Sequence, residues 1–202
     1  MSARFGPAGN AENFPYKASA DAPKWLRELG LDCYEYQCGK GVHVGEATAR
    51  KVGAAAAEHG ISLSLHAPYF INLANPDRDA LQKTIGYITG ACRVADWMGA
   101  ERVVIHSGAL MGRTRREALD TARRSLGEVI AACDGAGFGH LTLCPETMGK
   151  LGQLGDLDEV LDLCALDGRL LPCVDFGHLY ARSLGAEDGP EAMARMLSRM
   201  ED

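Results

Sequence analysis

Short apolar runs alternate with longer amphipathic runs along this chain, and the spacing predicts a repeated strand–helix unit. Runs at 61–66, 102–106, 141–147 and 171–175 are short and apolar, as expected of parallel strands that are covered on both faces. Two further runs, at 4–9 and 31–37, are taken as the first two strands. Six units result, with connections long enough for parallel pairing.

The amphipathic stretches between these strands predict helices with recognisable ends. Asp21 with Pro23 favours a helix start, and Gly30 and Gly60 are of the type that ends a helix. Thr114 and Glu117 have the spacing of a capping box. One predicted helix begins after Asp21, and five others cover 47–59, 75–99, 114–135, 157–166 and 190–200.

Four of the predicted strands end in a polar side chain that faces the same way. Because side chains alternate along a strand, the terminal residue lies on the same face as the residue two positions earlier. Small polar or apolar side chains therefore lie below polar tips, which suits the inside of a closed barrel with its site at the C-terminal mouth. The tips are His66, His106, Glu146 and Asp175, and the residues below them are Ser64, Val104, Cys144 and Cys173.

The fold class predicted from this pattern is α/β, a TIM (β/α)₈-type barrel. Such a barrel normally takes about 250 residues, whereas 202 residues accommodate about six of the eight units. We expect a single domain over 1–202 that lacks the C-terminal units. The alternatives are a missing segment, or an open sheet with bare apolar edges, which natural proteins avoid.

Composition narrows the setting of the protein. With 47% hydrophobic residues the chain can bury a core, and seven cysteines without a CxxC pair indicate reduced core residues. No apolar run approaches the roughly 20 residues that span a bilayer, and the start of the chain has no signal pattern. These features predict a cytoplasmic protein with no membrane association.

The net charge of −6 argues against a uniformly basic surface for nucleic acid. A local patch stays open, because Arg113, Arg115 and Arg116 crowd the segment beyond His106. The alternative interpretation of these arginines is a solvated rim and helix face.

The polar strand ends also carry a prediction about chemistry. Two neutral imidazoles and two carboxylates that converge form a ligand set for Zn²⁺ or a similar divalent ion. The structural alternative for any one histidine is a satisfied core residue. Glu35, near the end of the second strand, is a further candidate for contact with a ligand.

Four motifs resemble the endonuclease IV group of abasic-site DNA repair enzymes (AP endonuclease family 2), within the xylose isomerase-like barrel superfamily. They are His66-Ala-Pro-Tyr-Phe-Ile-Asn-Leu73, Val104-Ile-His106-Ser-Gly108, Leu143-Cys-Pro-Glu146-Thr147 and Cys173-Val-Asp175-Phe-Gly-His178. The resemblance implies up to three Zn²⁺ ions, with Mn²⁺ or another divalent ion as the alternative. It places His66 and His106 on one metal, Glu146 as the catalytic bridge, Asp175 on the second metal and His178 on the third. The remaining ligands of the family come from the seventh and eighth units.

The resemblance further places Tyr69 and Phe70 on the loop that enters DNA at the lesion, where they would replace lost stacking. Asn72, Lys40 and Arg113 complete the predicted DNA-binding set. The alternatives are packing of both rings over the barrel mouth and an Asn72 that holds its own loop. The chain departs from the family at the loop after the second strand, which lacks the usual arginine, and at Ser107, where proline is usual.

Three functions follow as hypotheses. The first is a metal-dependent phosphodiesterase that cleaves DNA 5′ to abasic sites in base excision repair and is monomeric at full length. The second is a sugar isomerase or epimerase of the same superfamily, with a small sugar as substrate. The third is a barrel fragment without catalysis that binds metal or is completed by a partner chain.

Overall fold

A computed structural model describes residues 3–10 and 12–201 and contains a parallel sheet of four strands. The order is β1-β2-β3-β4, and every neighbouring pair is parallel. The strands are β1 Cys33–Gln37, β2 Ser62–His66, β3 Arg102–His106 and β4 Thr142–Glu146. The register sets Gln37 beside His66, and His106 beside Glu146, so the polar ends of the strands meet at one edge.

Helices follow the strands in the predicted alternation. They are α1 Ala22–Glu28, α2 Glu46–His59, α3 Arg78–Met98, α4 Arg115–Gly135, α5 Leu157–Cys164, α6 Phe176–Arg182 and α7 Gly189–Glu201, with a 3₁₀ turn at Ser19–Asp21. The capping box is confirmed, because Thr114 accepts from the Glu117 N–H and Glu117 accepts from the Thr114 N–H. Gly60 ends α2 with a left-handed φ of 66°. Only α6 was not predicted, since seven residues that include Gly177 give no clear helical period.

The alternation of side chains in the strands is confirmed by the core. The outer face of the sheet contributes buried residues that join the main core with the apolar faces of α1–α4. These strand residues are Leu63, Leu65, Val103, Ile105 and Leu143. The opposite face of the sheet carries Ser64, Val104 and Cys144 beneath the polar tips, which fixes the side of the sheet on which a site can form.

The first and sixth predicted strands are present only as single bridges. Ala8 bridges Glu35, and Cys173 bridges Glu146, both in parallel. Two residues earlier in each segment, the next bridge of a ladder would need a backbone N–H from a proline. That proline is Pro7 in the first segment and Pro145 in β4 beside the sixth, and proline has no N–H. These two segments therefore flank the sheet in the expected positions without forming ladders.

Six strand positions and their helices thus follow one another as in a TIM-type barrel, although the sheet of the described residues does not close on itself. Over the same residues, none of the helices combines the length and the apolar character needed to cross a membrane.

Close packing of α2 on α3 generates a stability prediction. A Cβ on Gly53 would lie 2.3 Å from the Met98 carbonyl oxygen, whereas a Cβ on Gly86 in α3 meets nothing within 4 Å. Gly53→Ala should destabilise the protein by about 1–3 kcal/mol through overpacking. Gly86→Ala should stabilise it by roughly 0.5–1 kcal/mol through helix propensity. Chemical unfolding measures both, and equal effects of the two substitutions would contradict this packing.

Candidate metal centre

The carboxylate of Glu146 lies at the end of β4 between two imidazoles. Its Oε2 atom is 3.2 Å from His66 Nε2 and 3.1 Å from His106 Nε2. All three residues are more than 90% buried: the exposed fraction is 7% for Glu146, 5% for His66 and 8% for His106. The polar ends of β2, β3 and β4 therefore form one compact group, and these three residues can offer their ligand atoms to a single ion.

Backbone carbonyls fix the orientation of both imidazoles. His66 Nδ1 lies 2.7 Å from the Ala67 oxygen, and His106 Nδ1 lies 3.0 Å from the Tyr69 oxygen. A carbonyl only accepts, so each Nδ1 must carry the proton, and each Nε2 is left to face Glu146. This arrangement of a ring N–H on a carbonyl is the usual support of a metal-binding histidine.

The electrostatics of the group favour positive charge between these atoms. Burial alone would raise the pKa of Glu146, but hydrogen bonds and charge from His106 and His66 bring it down to about 2. For His66, burial acts to lower the pKa. The hydrogen bond and charge of Glu146 outweigh burial, so the pKa of His66 is raised. The carboxylate is thus held ionised in a buried position, where it needs a cationic partner.

A second group shares the same carboxylate. Glu146, Asp175 and His178 can offer ligand atoms to one ion. His178 Nδ1 lies 3.8 Å from Glu146 Oε1 and 3.6 Å from Asp175 Oδ2, but it donates to a backbone carbonyl, so Nε2 is the ring atom left for an ion. Asp175 caps α6 by accepting from the His178 N–H at 2.9 Å. The two oxygens of Glu146 therefore face different groups, as a bridging carboxylate requires.

Thr147 holds the second group in place, a role that the sequence analysis did not identify. Its Oγ1 accepts from the Asp175 N–H at 2.8 Å, and its carbonyl accepts from His178 Nδ1 at 2.8 Å. The side chain is fully buried beside Glu146. Its position directly after a candidate ligand was the one signal in the sequence for this role. The partners themselves could not be predicted, because they lie 28 and 31 residues away along the chain.

All five predicted ligands line one open cleft of about 780 Å³. Glu35 and Gln37 from β1 and the loop after β4 line it as well. Burial is the largest influence on Glu35 and raises its pKa, while His66, Gln37 and Ser64 oppose this shift. The cleft therefore contains Lys150 as well as three carboxyl groups, and it has room for a substrate group beside the ligand cluster.

Three of the five predicted DNA-binding residues lie in or near this cleft with exposed side chains. Tyr69 is 51% exposed and Phe70 is 53% exposed, and Lys40 is exposed on the loop after β1. Tyr69 lines the cleft itself. Phe70 packs edge-on against Tyr87, with ring centroids 4.8 Å apart.

The other two predicted DNA-binding residues make contacts within the protein. Asn72 Oδ1 accepts from the Ala74 N–H at 3.1 Å and the Ala109 N–H at 3.0 Å, so this side chain holds its own loop. Arg113 donates to the Ala74 carbonyl and, at 3.1 Å, to Thr121 Oγ1. Loop support was the alternative expected for Asn72, and both terminal nitrogens of Arg113 likewise donate within the fold.

Two arginines organise the loop after β4, which forms a wall of the cleft. Arg182 donates to the carbonyls of Met148, Lys150 and Gln153 at 3.0–3.3 Å. Arg115 pairs with the buried carboxylate of Glu159 and also donates to the carbonyls of Leu151 and Gln153. Neither role was predicted, because a carbonyl partner leaves no signature in sequence.

The ligand atoms present fit a divalent ion of the zinc type. Two ligands at about 2.0–2.1 Å from a tetrahedral ion are roughly 3.3 Å apart, close to the 3.1 and 3.2 Å observed at Glu146. Imidazole nitrogen and carboxylate oxygen are both ligands that zinc accepts. Asp175 and His178 offer the same atom types to the second group.

Alternating strand–helix units with a cluster of candidate ligands at the carboxyl ends of the strands define a TIM-type barrel. The chain belongs to the xylose isomerase-like TIM barrel family, whose family model matches residues 23–200. This match confirms the fold class and the superfamily that the sequence motifs indicated.

Similarity to individual proteins is more distant. An uncharacterized protein of Methanocaldococcus jannaschii is 31% identical over 179 residues, which are 88% of this chain and 63% of that protein. A probable endonuclease 4 of Mycoplasma genitalium is 32% identical over 131 residues, which are 62% of this chain and 43% of that protein. The chain thus spans less than two thirds of either relative. The fold is also that of the 3-keto-D-glucoside 4-epimerase of E. coli, with a TM-score of 0.74, 17% identity and coverage of 98% and 74% of the two chains.

The role of Thr147 generates a prediction about metal affinity. Thr147→Val keeps the shape of the side chain but leaves the Asp175 N–H without its partner. We expect the zinc affinity of the Glu146–Asp175–His178 group to fall by about tenfold or more, as it does when other residues that hydrogen-bond to metal ligands are changed, while the His66–His106 group is unaffected. Calorimetric zinc titration should show one weakened class of sites. An unchanged isotherm would contradict the role given to Thr147.

Proposed function

We propose that this chain carries the metal-binding part of a phosphodiesterase that resembles endonuclease IV and cleaves DNA 5′ to abasic sites. The observation that carries the proposal is the sharing of Glu146 by two groups of candidate ligands, one of which contains both His66 and His106. A single-metal sugar isomerase has no need of that histidine pair. The similarity to a probable endonuclease 4 supports the same choice.

The proposed ligands would hold ions at more than one position. His66 and His106 would hold one ion with neutral nitrogen atoms, and Glu146 would bridge to a second ion with its other oxygen. Asp175 would complete the second position, and His178, which the resemblance assigns to a third ion, lies beside it. Zinc ions held here would supply Lewis acidity toward a phosphodiester and neutralise charge on its leaving oxygen.

The exposed side chains around the cleft suit an extended anionic substrate. Tyr69 and Phe70 present about half of their surface to solvent, enough for a base or sugar ring to stack against them. Lys40 is exposed in a neighbouring pocket that Tyr69 also lines, and it offers a charge to a backbone phosphate. We do not assign DNA contacts to Asn72, whose Oδ1 accepts from its own loop, or to Arg113, whose two terminal nitrogens donate within the protein.

The second candidate function is isomerisation or epimerisation of a small sugar. It is favoured by Glu35, a carboxyl whose pKa burial raises and which lines the same cleft as the histidines. Such a group suits proton transfer to or from a hydroxy-ketone. The fold shared with an epimerase is compatible with this function but does not select it.

A nicking assay tests the first proposal. The full-length protein with zinc should cleave a duplex with one abasic site on its 5′ side, and a chelator should abolish cleavage. His106→Ala should lower the rate by at least about 100-fold, the scale seen for the loss of one strong electrostatic contribution. His140→Ala is the matched control, because His140 pairs with Asp96 on the surface and should leave the rate unchanged. Stoichiometric zinc without any nicking would exclude this substrate.

Salt dependence separates the two candidate functions. A DNA-binding protein loses affinity steeply with salt, with a slope in log K of about −0.9 per phosphate contacted. We expect Lys40→Ala to lower this slope by about one, measured by fluorescence anisotropy with an abasic duplex between low and moderate salt. Turnover of a ketose with no measurable binding of DNA would select the epimerase instead.

A further inference from the structure

The ring of Tyr69 is held against both histidines of the candidate metal centre. It stacks on His106 with centroids 5.5 Å apart and planes at 22°, and meets His66 edge-on at 4.9 Å. Its hydroxyl donates to Gln37 Oε1 at 2.7 Å. A side chain with half of its surface exposed is thus fixed at one defined place over the imidazoles.

Gln37 is itself held by Glu35, its neighbour on the same face of β1. Gln37 Nε2 donates to Glu35 Oε1 at 2.8 Å, and Ser64 Oγ donates to Glu35 Oε2 at 3.5 Å. A carboxylate accepts only, so the amide must turn its nitrogen to Glu35 and its oxygen to Tyr69. The hydrogen bonds therefore run in one direction, from Tyr69 to Gln37 to Glu35.

The main chain after β1 forms the floor under the same ring. The Tyr69 N–H donates to the Gly39 carbonyl at 2.9 Å. A Cβ on Gly39 would lie 2.1 Å from a ring carbon of Tyr69. Glycine is needed here for space and not for an unusual φ, so the backbone after β1 is shaped to receive the ring.

Tyr69 and Gln37 also form the wall between two cavities. Both line the cleft of about 780 Å³ that contains the candidate ligands, and both line a neighbouring pocket of about 370 Å³ that includes Lys40 and His43. Release of the ring would join these cavities into one groove that leads from Lys40 to Glu146.

We propose that Glu35 and Gln37 are positioning residues that latch the Tyr69 ring over His66 and His106. The latch sets how fast ions and ligands exchange with the Glu146 cluster. The latch itself stands on the contacts above, whereas its effect on metal exchange rests on the proposed metal-binding function.

Hydrogen exchange in the metal-free protein tests the latch directly. Tyr69→Phe removes the phenol and keeps the ring, and the loss of one hydrogen bond should speed exchange of peptide 67–72 about fivefold. The matched control is Tyr34→Phe, which removes a phenol that donates to Asn10 Oδ1 at the same distance of 2.7 Å. The control should leave peptide 67–72 unchanged. Equal exchange in the two variants and the wild type would overturn the latch.

A swap of the two latch residues tests their partnership. At pH 8, Gln37→Glu sets two carboxylates side by side and should loosen peptide 67–72 as much as Tyr69→Phe does. The double substitution Glu35→Gln with Gln37→Glu restores an amide donor between the two side chains and keeps an oxygen for the phenol. It should return exchange to the wild-type rate, and a double variant as loose as the single would contradict the latch.

Metal release tests the consequence. Zinc-loaded Tyr69→Phe should transfer its ion to a chelator about fivefold faster than the wild type, with Tyr34→Phe at the wild-type rate. Equal release from all three forms would overturn the control of access. If no form binds zinc, the proposed function fails, while the exchange rates of the metal-free protein still decide whether the latch exists.

Discussion

The buried carboxylate of Glu146 is the interaction on which the rest of this structure depends. An ionised group with 7% exposure requires compensation, and side chains from two other strands and one helix surround it. The β3–β4 register sets His106 beside Glu146, β2 contributes His66, and the Asp175–His178 segment faces the second oxygen. The same electrostatic demand that makes this group costly in an apolar interior makes it suited to hold divalent ions.

Backbone carbonyls fix the orientation of the imidazoles around this carboxylate. All three histidines direct Nδ1 to a main-chain oxygen, at Ala67, Tyr69 and Thr147. The loop after β4 is held in turn by guanidinium groups on its carbonyls. Rotation of the His66 imidazole would therefore leave a buried polar atom without a partner, which costs about 1–3 kcal/mol. The geometry of the cluster is built into the fold before any ligand arrives.

Much of the fold could be predicted because its signals are local. Short apolar runs, a capping box at Thr114 and a glycine stop at Gly60 each act within a few residues. The convergence of His66, His106 and Glu146 followed from strand alternation alone. The roles of Thr147, Arg182 and Gln37 could not be predicted, because each depends on a partner 28 to 34 residues away that only the folded chain brings near. The interrupted outer strands were readable in principle, since Pro7 and Pro145 lack the required N–H.

Anomalous diffraction at the zinc edge, from crystals grown with zinc, tests directly whether Glu146 and the two histidines hold an ion. We expect a peak about 2.0–2.2 Å from His66 Nε2, His106 Nε2 and one oxygen of Glu146, with a second peak on the side of Asp175. Zinc bound only elsewhere, with both imidazoles still hydrogen-bonded to Glu146, would contradict it.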